Sequence, residues 1–351
     1  MSRRLLRVFP GVMVVVRPRG AATVVSLLAA CLATGLVSVA ADRHGVEVEE
    51  LWRSAAGGAE LDPIADFVIT GLRAPRAIAA AATGAALGLA GAIFQAMARN
   101  PLASPDLVGF TTGSATGALV MLLVAGATSA ATVAAAAVAG GALTAAFVAA
   151  LALRGGLTGH RLILVGLATA AMLASVNDYL LTRADLERAQ AAKVWLFGSL
   201  NGVGWAQVEP LLLCGAALVV AAALLAPRLR ALELGDEVAA ALGSPVRRDK
   251  LALIALAVAL TGLACSVAGP IGFIALAAPQ LGRRLARAPG MSLAAAAATG
   301  ALLVIVADFL AQRLLSPFQI PVGLVAGAFG GLYLASLLAS ERRRLVRRGG
   351  L

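Results

Sequence analysis

Apolar residues run along this chain in blocks about twenty residues long, separated by short polar stretches. An α-helix needs about 20 apolar residues to cross a hydrocarbon core about 30 Å thick. Ten such blocks can be drawn, at about 21–41, 76–97, 107–125, 128–152, 160–182, 207–226, 251–268, 271–286, 294–314 and 321–340. The block at 271–286 is the shortest and lies against Pro270. No strand-length alternation of polar and apolar residues recurs, which argues against a β-barrel. The pattern predicts an all-α polytopic membrane protein with ten transmembrane helices. An even count puts both termini on one side.

Composition agrees: 60% of residues are hydrophobic and 13% charged, about half the charged fraction of a soluble domain. The basic residues give the orientation. With the N-terminus inside, the inner segments hold twenty-one Lys and Arg and the outer segments eight. That bias predicts both termini in the cytoplasm, in a multi-pass protein of the cytoplasmic (inner) membrane. It also accounts for the net charge of +11, so no nucleic-acid partner is expected and membrane lipid is. Residues 1–20 form a basic cytoplasmic N-terminal extension, leading into a retained first helix rather than a cleaved signal. Residues 21–340 form the ten-helix domain, and 341–351 a basic cytoplasmic tail. Cys31, Cys214 and Cys265 all fall inside apolar spans and serve as small packing residues.

Two outer segments exceed a turn. Residues 42–75 carry Glu47, Glu49, Glu50, Glu60, Asp62 and Asp66 before a basic pair, and 183–206 carry mixed charge with Trp195 and Trp205. Three proline-rich breaks interrupt the spans. In 84–110, Pro101 and Pro105 remove backbone donors and disfavour helix at Asn100 and Ser104, and Asn100, Ser104 and Asp106 are placed to cap the freed groups. Such a break is either a structural re-entrant turn or the lining of a cavity, because irregular backbone at membrane depth survives only where protein or water satisfies it. In 268–284, Gly269 and Pro270 end one helix and Pro279 kinks or restarts the next. A third break, 316–323, separates the last two spans.

Residues 232–250, LELGDEVAAALGSPVRRDK, form a polar island on the inner side. The sequence predicts two short helices there. Asp236 caps the first, and Val238, Ala241 and Leu242 share one apolar face. Gly243 stops that helix. Ser244 then caps the second, with Pro245 at its first position, and Arg247, Arg248 and Lys250 follow. A stripe of this kind either lies on the inner leaflet or docks in a partner's groove.

Catalytic signatures are missing from the sequence. There is no HExxH, CxxC, G-x-S-x-G or Gly-Lys-Ser/Thr phosphate loop, so any ATP hydrolysis must be borrowed. No His, Cys and carboxylate cluster suited to a metal is apparent, and no cofactor is implied. Asp106, Asp178 and Asp308 are the acids within spans, and only Asp308 looks deep. Its expected role is a helix-packing hydrogen bond or, less favoured, an ion-coupling site.

The blocks RAPR (73–76), GAIFQAMARNPLASPDLVGF (91–110), WLFGSLNG (195–202), LELGDEVAAALG (232–243), AGPIGFIALAAPQLGRR (268–284), AD (307–308) and IPVG (320–323) resemble, in order and spacing, those of the iron-siderophore and vitamin B12 ABC importer permeases. The resemblance spans about 20–340. Within the family it is nearest the ferric enterobactin branch, whose permease works beside a second, related one. It implies a type II ABC importer permease fold of ten helices, with no ATPase site of its own. The implied partners are two cytoplasmic ATP-binding subunits, a second permease subunit (a paralogue rather than a copy) and an extracytoplasmic siderophore-binding protein.

The same resemblance implies site residues. Gly235, Asp236, Glu237, Leu242 and Gly243 would contact the ATPase, with Val238 on the same face and Arg247 beyond it. Arg73 and Arg76 would meet acidic residues of the binding protein. Gln95, Asn100, Ser104 and Asn177 are candidate lining groups of a weakly polar path wide enough for a ferric siderophore. The chain departs from the family at Gln280, where His usually follows the proline, and the extension before residue 20 has no counterpart. The expected function is a permease for ferric siderophore. The alternatives are vitamin B12 or haem as cargo, an ion-coupled secondary carrier, and a membrane enzyme.

Overall fold

The computed structural model describes residues 4–9, 12–16, 18–40, 63–106, 108–127, 129–153, 159–288, 290–315 and 317–348. The acids Glu47, Glu49, Glu50, Glu60 and Asp62 of the first outer segment lie outside these.

The valine-rich extension contains two strands, β1 (Arg4–Phe9) and β2 (Val12–Val16), paired antiparallel with Arg4 opposite Val16 and Leu6 opposite Val14. They were not expected. β-branched Val14, Val15 and Val16 favour the extended backbone. The helices follow as α1 (Pro18–Ala40), α2 (Pro63–Asp66), α3 (Ala74–Ala98), α4 (Phe110–Leu119), α5 (Ala130–Leu153), α6 (Gly159–Arg183), α7 (Leu186–Leu196), α8 (Trp205–Glu233), α9 (Asp236–Ala241), α10 (Val246–Ala268), α11 (Ile274–Leu285), α12 (Leu293–Ala311) and α13 (Val322–Arg348). Short π-helical segments, Phe67–Arg73 and Val120–Val124, run into α3 and out of α4.

Among the described residues, seven helices are long and apolar enough to cross a membrane, and Phe110–Val124 and Val322–Ser336 are shorter apolar helices. The twelve-residue α11 stands where the shortest span was expected. Element edges differ from expectation in three places. Helix α8 runs on through Pro210 and Pro227, as membrane helices can when neighbours satisfy the freed carbonyls. The second outer segment holds a helix of its own, α7. The tail expected at 341–351 continues α13 to Arg348.

Helix α3 is the hub. The apolar window of Phe67–Ala98 is 72% buried inside the protein, against 11% for α1 and 17% for α8. α3 packs on α12, α10, α11 and α8. Lipid is as apolar as the side chains, so close van der Waals packing must hold such helices together. Small residues provide it. A Cβ at Gly84 would fall 2.2 Å from the Gly300 carbonyl oxygen, and one at Gly88 2.3 Å from that of Ala296, so α3 and α12 touch backbone to backbone. Pro279 has no N–H to give Ala275, and the freed Ala275 oxygen faces Gly91, where a Cβ would lie 1.8 Å away. That arrangement suits a Cα–H···O contact between α3 and α11.

The end of the bundle where α10 meets α13 is tied by loop backbone. Ser199 N–H donates to Ala268 O at 2.8 Å and Gly323 N–H to Gly198 O at 3.1 Å, joining the loop after α7 to the end of α10 and the start of α13. The Trp205 indole N–H donates to Thr70 O at 2.8 Å, within the π segment that precedes α3.

Candidate functional site

Two regions deserve the name of site: the broken middle of the bundle and the turn around α9. At the first, α3 stops at Arg99, which takes the left-handed conformation (φ 49°). Asn100 N–H donates to Gln95 O at 3.2 Å, and the Asn100 side-chain oxygen accepts from Leu102 N–H at 2.9 Å. The chain then doubles back, so that the rings of Phe94 and Phe110 sit 5.5 Å apart. The expected break in the helix is therefore present. Asp106 takes other partners than the freed groups it was expected to cap: its carboxylate accepts the Thr111 hydroxyl at 2.5 Å and the N–H of Phe273, at the start of α11.

The second break follows the expected end at Gly269, and of the two roles expected of Pro279 it takes the one inside a helix. α10 ends at Gly269 (φ 66°) and α11 restarts at Ile274, with Pro279 inside the helix rather than at its start. Phe273, at φ 67°, makes the turn. The two breaks are bound to each other. Gln95 Nε2 donates to Leu276 O at 2.9 Å, and Gln280 Nε2 donates to Pro101 O at 2.6 Å. Gln280 Oε1 also accepts the Tyr333 hydroxyl of α13 at 3.4 Å. Sequence had marked Gln280 only as a missing histidine. Here its amide joins α11, α13 and the break, a role that needs one donor and one acceptor and no titratable group.

The four lining candidates differ in burial. Gln95 and Ser104 are buried, Asn100 is partly exposed, and Asn177 is buried on α6. The Oε1 of Gln95 and the Oδ1 of Asn177 lack a partner among the described residues. No hydrogen bond among those residues joins Asn177 to the other three.

At the end of the bundle expected to face outward, Arg76 lies in the first turn of α3 and Asp308 in the last turn of α12. Arg76 Nε lies 3.1 and 3.0 Å from the two carboxylate oxygens of Asp308, and Nη2 2.8 Å from one of them. Gln312 Nε2 donates to the same carboxylate at 2.7 Å, and Arg76 Nη1 reaches Gln319 Oε1 at 3.4 Å. One expectation is met and one changes. Asp308 lies in the last turn of α12 and is paired, which is the helix-packing alternative. Arg76 does not stand open at the surface, because its charge already has a carboxylate. Arg73 Nη1 donates to Val39 O at 3.1 Å, at the end of α1.

The inner island is one short helix, not two. α8 continues to Glu233, α9 spans Asp236–Ala241, and the predicted second helix is the first turn of the membrane helix α10. The caps fall one residue away from expectation. Gly235 (φ 116°) is the N-cap of α9 and Pro245 that of α10, neither with a side-chain cap bond. Asp236 instead pairs with Lys250 at 2.5 Å, and the Ser244 hydroxyl donates to Asp249. Only glycine adopts the Gly235 backbone without strain, and Gly243 at φ 83° makes the matching exit.

The surface of α9 follows from this. Ala239 is fully buried beneath it, while Val238, Ala241 and Leu242 are exposed, Leu242 at 68%. Glu237 and Arg247 are exposed at either side. The expected apolar stripe is real and faces away from the bundle. Sequence reasoning missed what anchors it. Arg228 Nη1 meets Asp249 at 2.9 Å, and Glu233 accepts the N–H of Met291, before α12, at 2.9 Å. The signal available was Asp249 and Lys250 standing side by side at the threshold of an apolar span.

Comparison with known proteins matches this geometry to one family. The model of the FecCD transport family covers residues 28–340. The chain is 42% identical over 332 residues to the ferric enterobactin transport system permease protein FepG of Escherichia coli (strain K12), covering 95% of this chain and 100% of that one. It is 36% identical over 297 residues to the achromobactin transport system permease protein CbrC of Dickeya dadantii (strain 3937), covering 83% and 82%. Among solved structures, a metal-chelate type ABC transporter in an inward-facing conformation superposes with a TM-score of 0.78 at 26% identity, covering 91% of this chain and 99% of that one.

Proposed function

We propose that this chain, which belongs to the FecCD transport family, is a permease subunit of an ABC importer that carries ferric siderophore across the cytoplasmic membrane. It is a multi-pass membrane protein and a transport subunit rather than an enzyme. All ten helices at the expected spans cross the bilayer in this proposal, with α4 and α11 as the short ones. Both termini lie in the cytoplasm, in keeping with the arginine bias.

One observation carries the proposal. A chain without a phosphate loop holds an exposed apolar stripe, Val238, Ala241 and Leu242, on a short helix braced between two membrane helices. Two cytoplasmic ATP-binding subunits would dock there, with Gly235, Asp236, Glu237, Gly243 and Arg247 framing the contact. An extracytoplasmic siderophore-binding protein would dock at the outer end. Arg73 and Arg76 are the proposed contacts, and Arg76 would have to exchange Asp308 for the partner's carboxylate. A second permease subunit, a paralogue, would complete a path to which Gln95, Asn100, Ser104 and Asn177 contribute. The names of the relatives favour ferric siderophore as cargo over vitamin B12 or haem. The pairing of Asp308 with Arg76 removes the one deep acid that an ion-coupled carrier could have used.

The test is reconstitution in proteoliposomes with the second permease, the ATPase subunits and the loaded binding protein. Uptake of a radiolabelled ferric catecholate should require the ATPase and ATP and ignore an uncoupler. Uptake that persists without the ATPase and collapses with the uncoupler would overturn the proposal.

A further inference from the structure

The helix that would receive the ATPase cannot hold itself in place. α9 has six residues, too few to be stable alone. Both of its joints are glycines at positive φ, Gly235 at 116° and Gly243 at 83°. A sideways push on its exposed stripe would swing it about those joints unless side chains pin it.

Two adjacent residues of α10 do the pinning. Lys250 Nζ lies 2.5 Å from Asp236, in the first turn of α9. Asp249 accepts the Ser244 hydroxyl, just past the end of α9, and lies 2.9 Å from Arg228 Nη1 of α8. One residue thus grips the front of α9, and the other grips its back and the preceding helix. Both are buried, Asp249 at 0% and Lys250 at 5% exposure. Buried charges persist only when paired and hydrogen-bonded. The helix dipole favours Asp249 near the N-terminus of α10 and disfavours Lys250, so the bond to Asp236 accounts for Lys250 where helix electrostatics do not.

The pins also set the direction of transmission. α10 packs along α3. α3 ends at Arg99, whose guanidinium nitrogen lies 3.3 Å from where a Gly235 Cβ would stand. The same end of α3 opens the broken segment that Gln280 ties to α11.

We infer that Asp249 and Lys250 are positioning residues that fasten the ATPase-contacting helix to α10, so that movement of the partner enters the bundle through α10 instead of being absorbed at Gly235 and Gly243. The inference rests on the proposed docking at α9. It goes beyond that proposal by naming how the movement is passed on.

The test uses the complete transporter and reads three quantities: assembled complex, ATP hydrolysis, and substrate carried per ATP. Lys250→Met keeps the apolar stem and removes the charge. It should lower substrate per ATP about 5-fold or more, the scale of a small coupling free energy, while hydrolysis and assembly persist. Lys250→Arg should restore the ratio by restoring the bond. Arg228→Gln loosens Asp249 from the solvent side while leaving an amide that can still donate to the buried carboxylate, so it should lower the ratio even where Lys250→Met fails to assemble. An unchanged ratio in Lys250→Met, or in Arg228→Gln where only that variant assembles, overturns the inference. Val238→Arg separates the two claims. If it uncouples and the α10 variants do not, docking stands and the pinning fails. If Val238→Arg transports normally, the docking proposal is the one that falls.

Discussion

Along the seam of α3 and α12 backbone meets backbone, whereas α9 is held to α10 by side chains. A Cβ on Gly300 would stand 2.1 Å from the Gly84 oxygen, and the outer end of that seam is closed by Arg76 on Asp308. Around α9 the joints are glycines, and the bracing is two ion pairs whose outer members, Arg228 and Asp236, are 54% and 42% exposed. The seam has one arrangement available to it. The turn can be moved as a piece and still keep its internal bonds. A transporter driven from outside needs both: a rigid body to rock and a handle by which to rock it. Damage to the seam should therefore appear as lost stability, with transport falling only as the folded protein falls. Damage to the turn should appear as lost coupling in a folded complex.

The largest effect is expected at the outer end of the seam. The side chains of Arg76 and Asp308 are 13% and 3% exposed, so Asp308→Ala strands a mostly buried guanidinium. Removing one partner of a buried pair costs about 3–5 kcal/mol. Thermal unfolding of the purified complex should register that loss. The double change Arg76→Met with Asp308→Leu should recover most of it, because an apolar pair of similar volume needs no compensation. A double variant as unstable as the single would mean the carboxylate does more than balance Arg76. Gly84→Ala comes next. Its new methyl would meet the Gly300 carbonyl, and overpacking of this kind costs roughly 1–3 kcal/mol. Transport per folded molecule should stay at the parent value, and a fall in that ratio without a fall in stability would erase the contrast between seam and turn.

The sequence disclosed the two regions unequally. Apolar block length located a helix at every expected span, and Pro101, Pro105 and Gly269 marked the breaks, because proline and glycine act on local backbone whatever lies around them. The glycine spacing at Gly84 and Gly88 predicted close packing without naming its partner. Misreadings arose wherever a long-range neighbour decides the outcome. Asp308 was legible as a helix-packing group, but not its partner, an arginine 232 positions earlier. Asp236 and Ser244 have the chemistry of helix caps, but each bonds a residue of α10 instead. Capping preferences are worth about 1 kcal/mol, and a charge-assisted bond to a buried partner exceeds that. Gln280 was notable only for the histidine it replaces, and nothing local could show that its amide joins three elements.

The smallest effect on stability is expected at Leu242, and it gives the sharpest test of the contrast. The side chain is 68% exposed and Val238 44%, and neither is among the buried residues of the core. Replacing an exposed leucine removes no buried area, so Leu242→Arg should shift stability by no more than about 0.5 kcal/mol. Insertion in the membrane and the unfolding temperature should match the parent. Capture of the ATPase subunit by the detergent-solubilised permease should nevertheless weaken, since an apolar side chain at the end of a docked helix is the kind of contact that dominates such an interface. Hydrolysis should then no longer respond to the loaded binding protein. Asp308→Ala should show the reverse, an unstable permease whose surviving fraction still couples. If Leu242→Arg binds the ATPase and transports normally, the stripe on α9 faces water or lipid for some other reason, and the division of labour between seam and handle loses its second half.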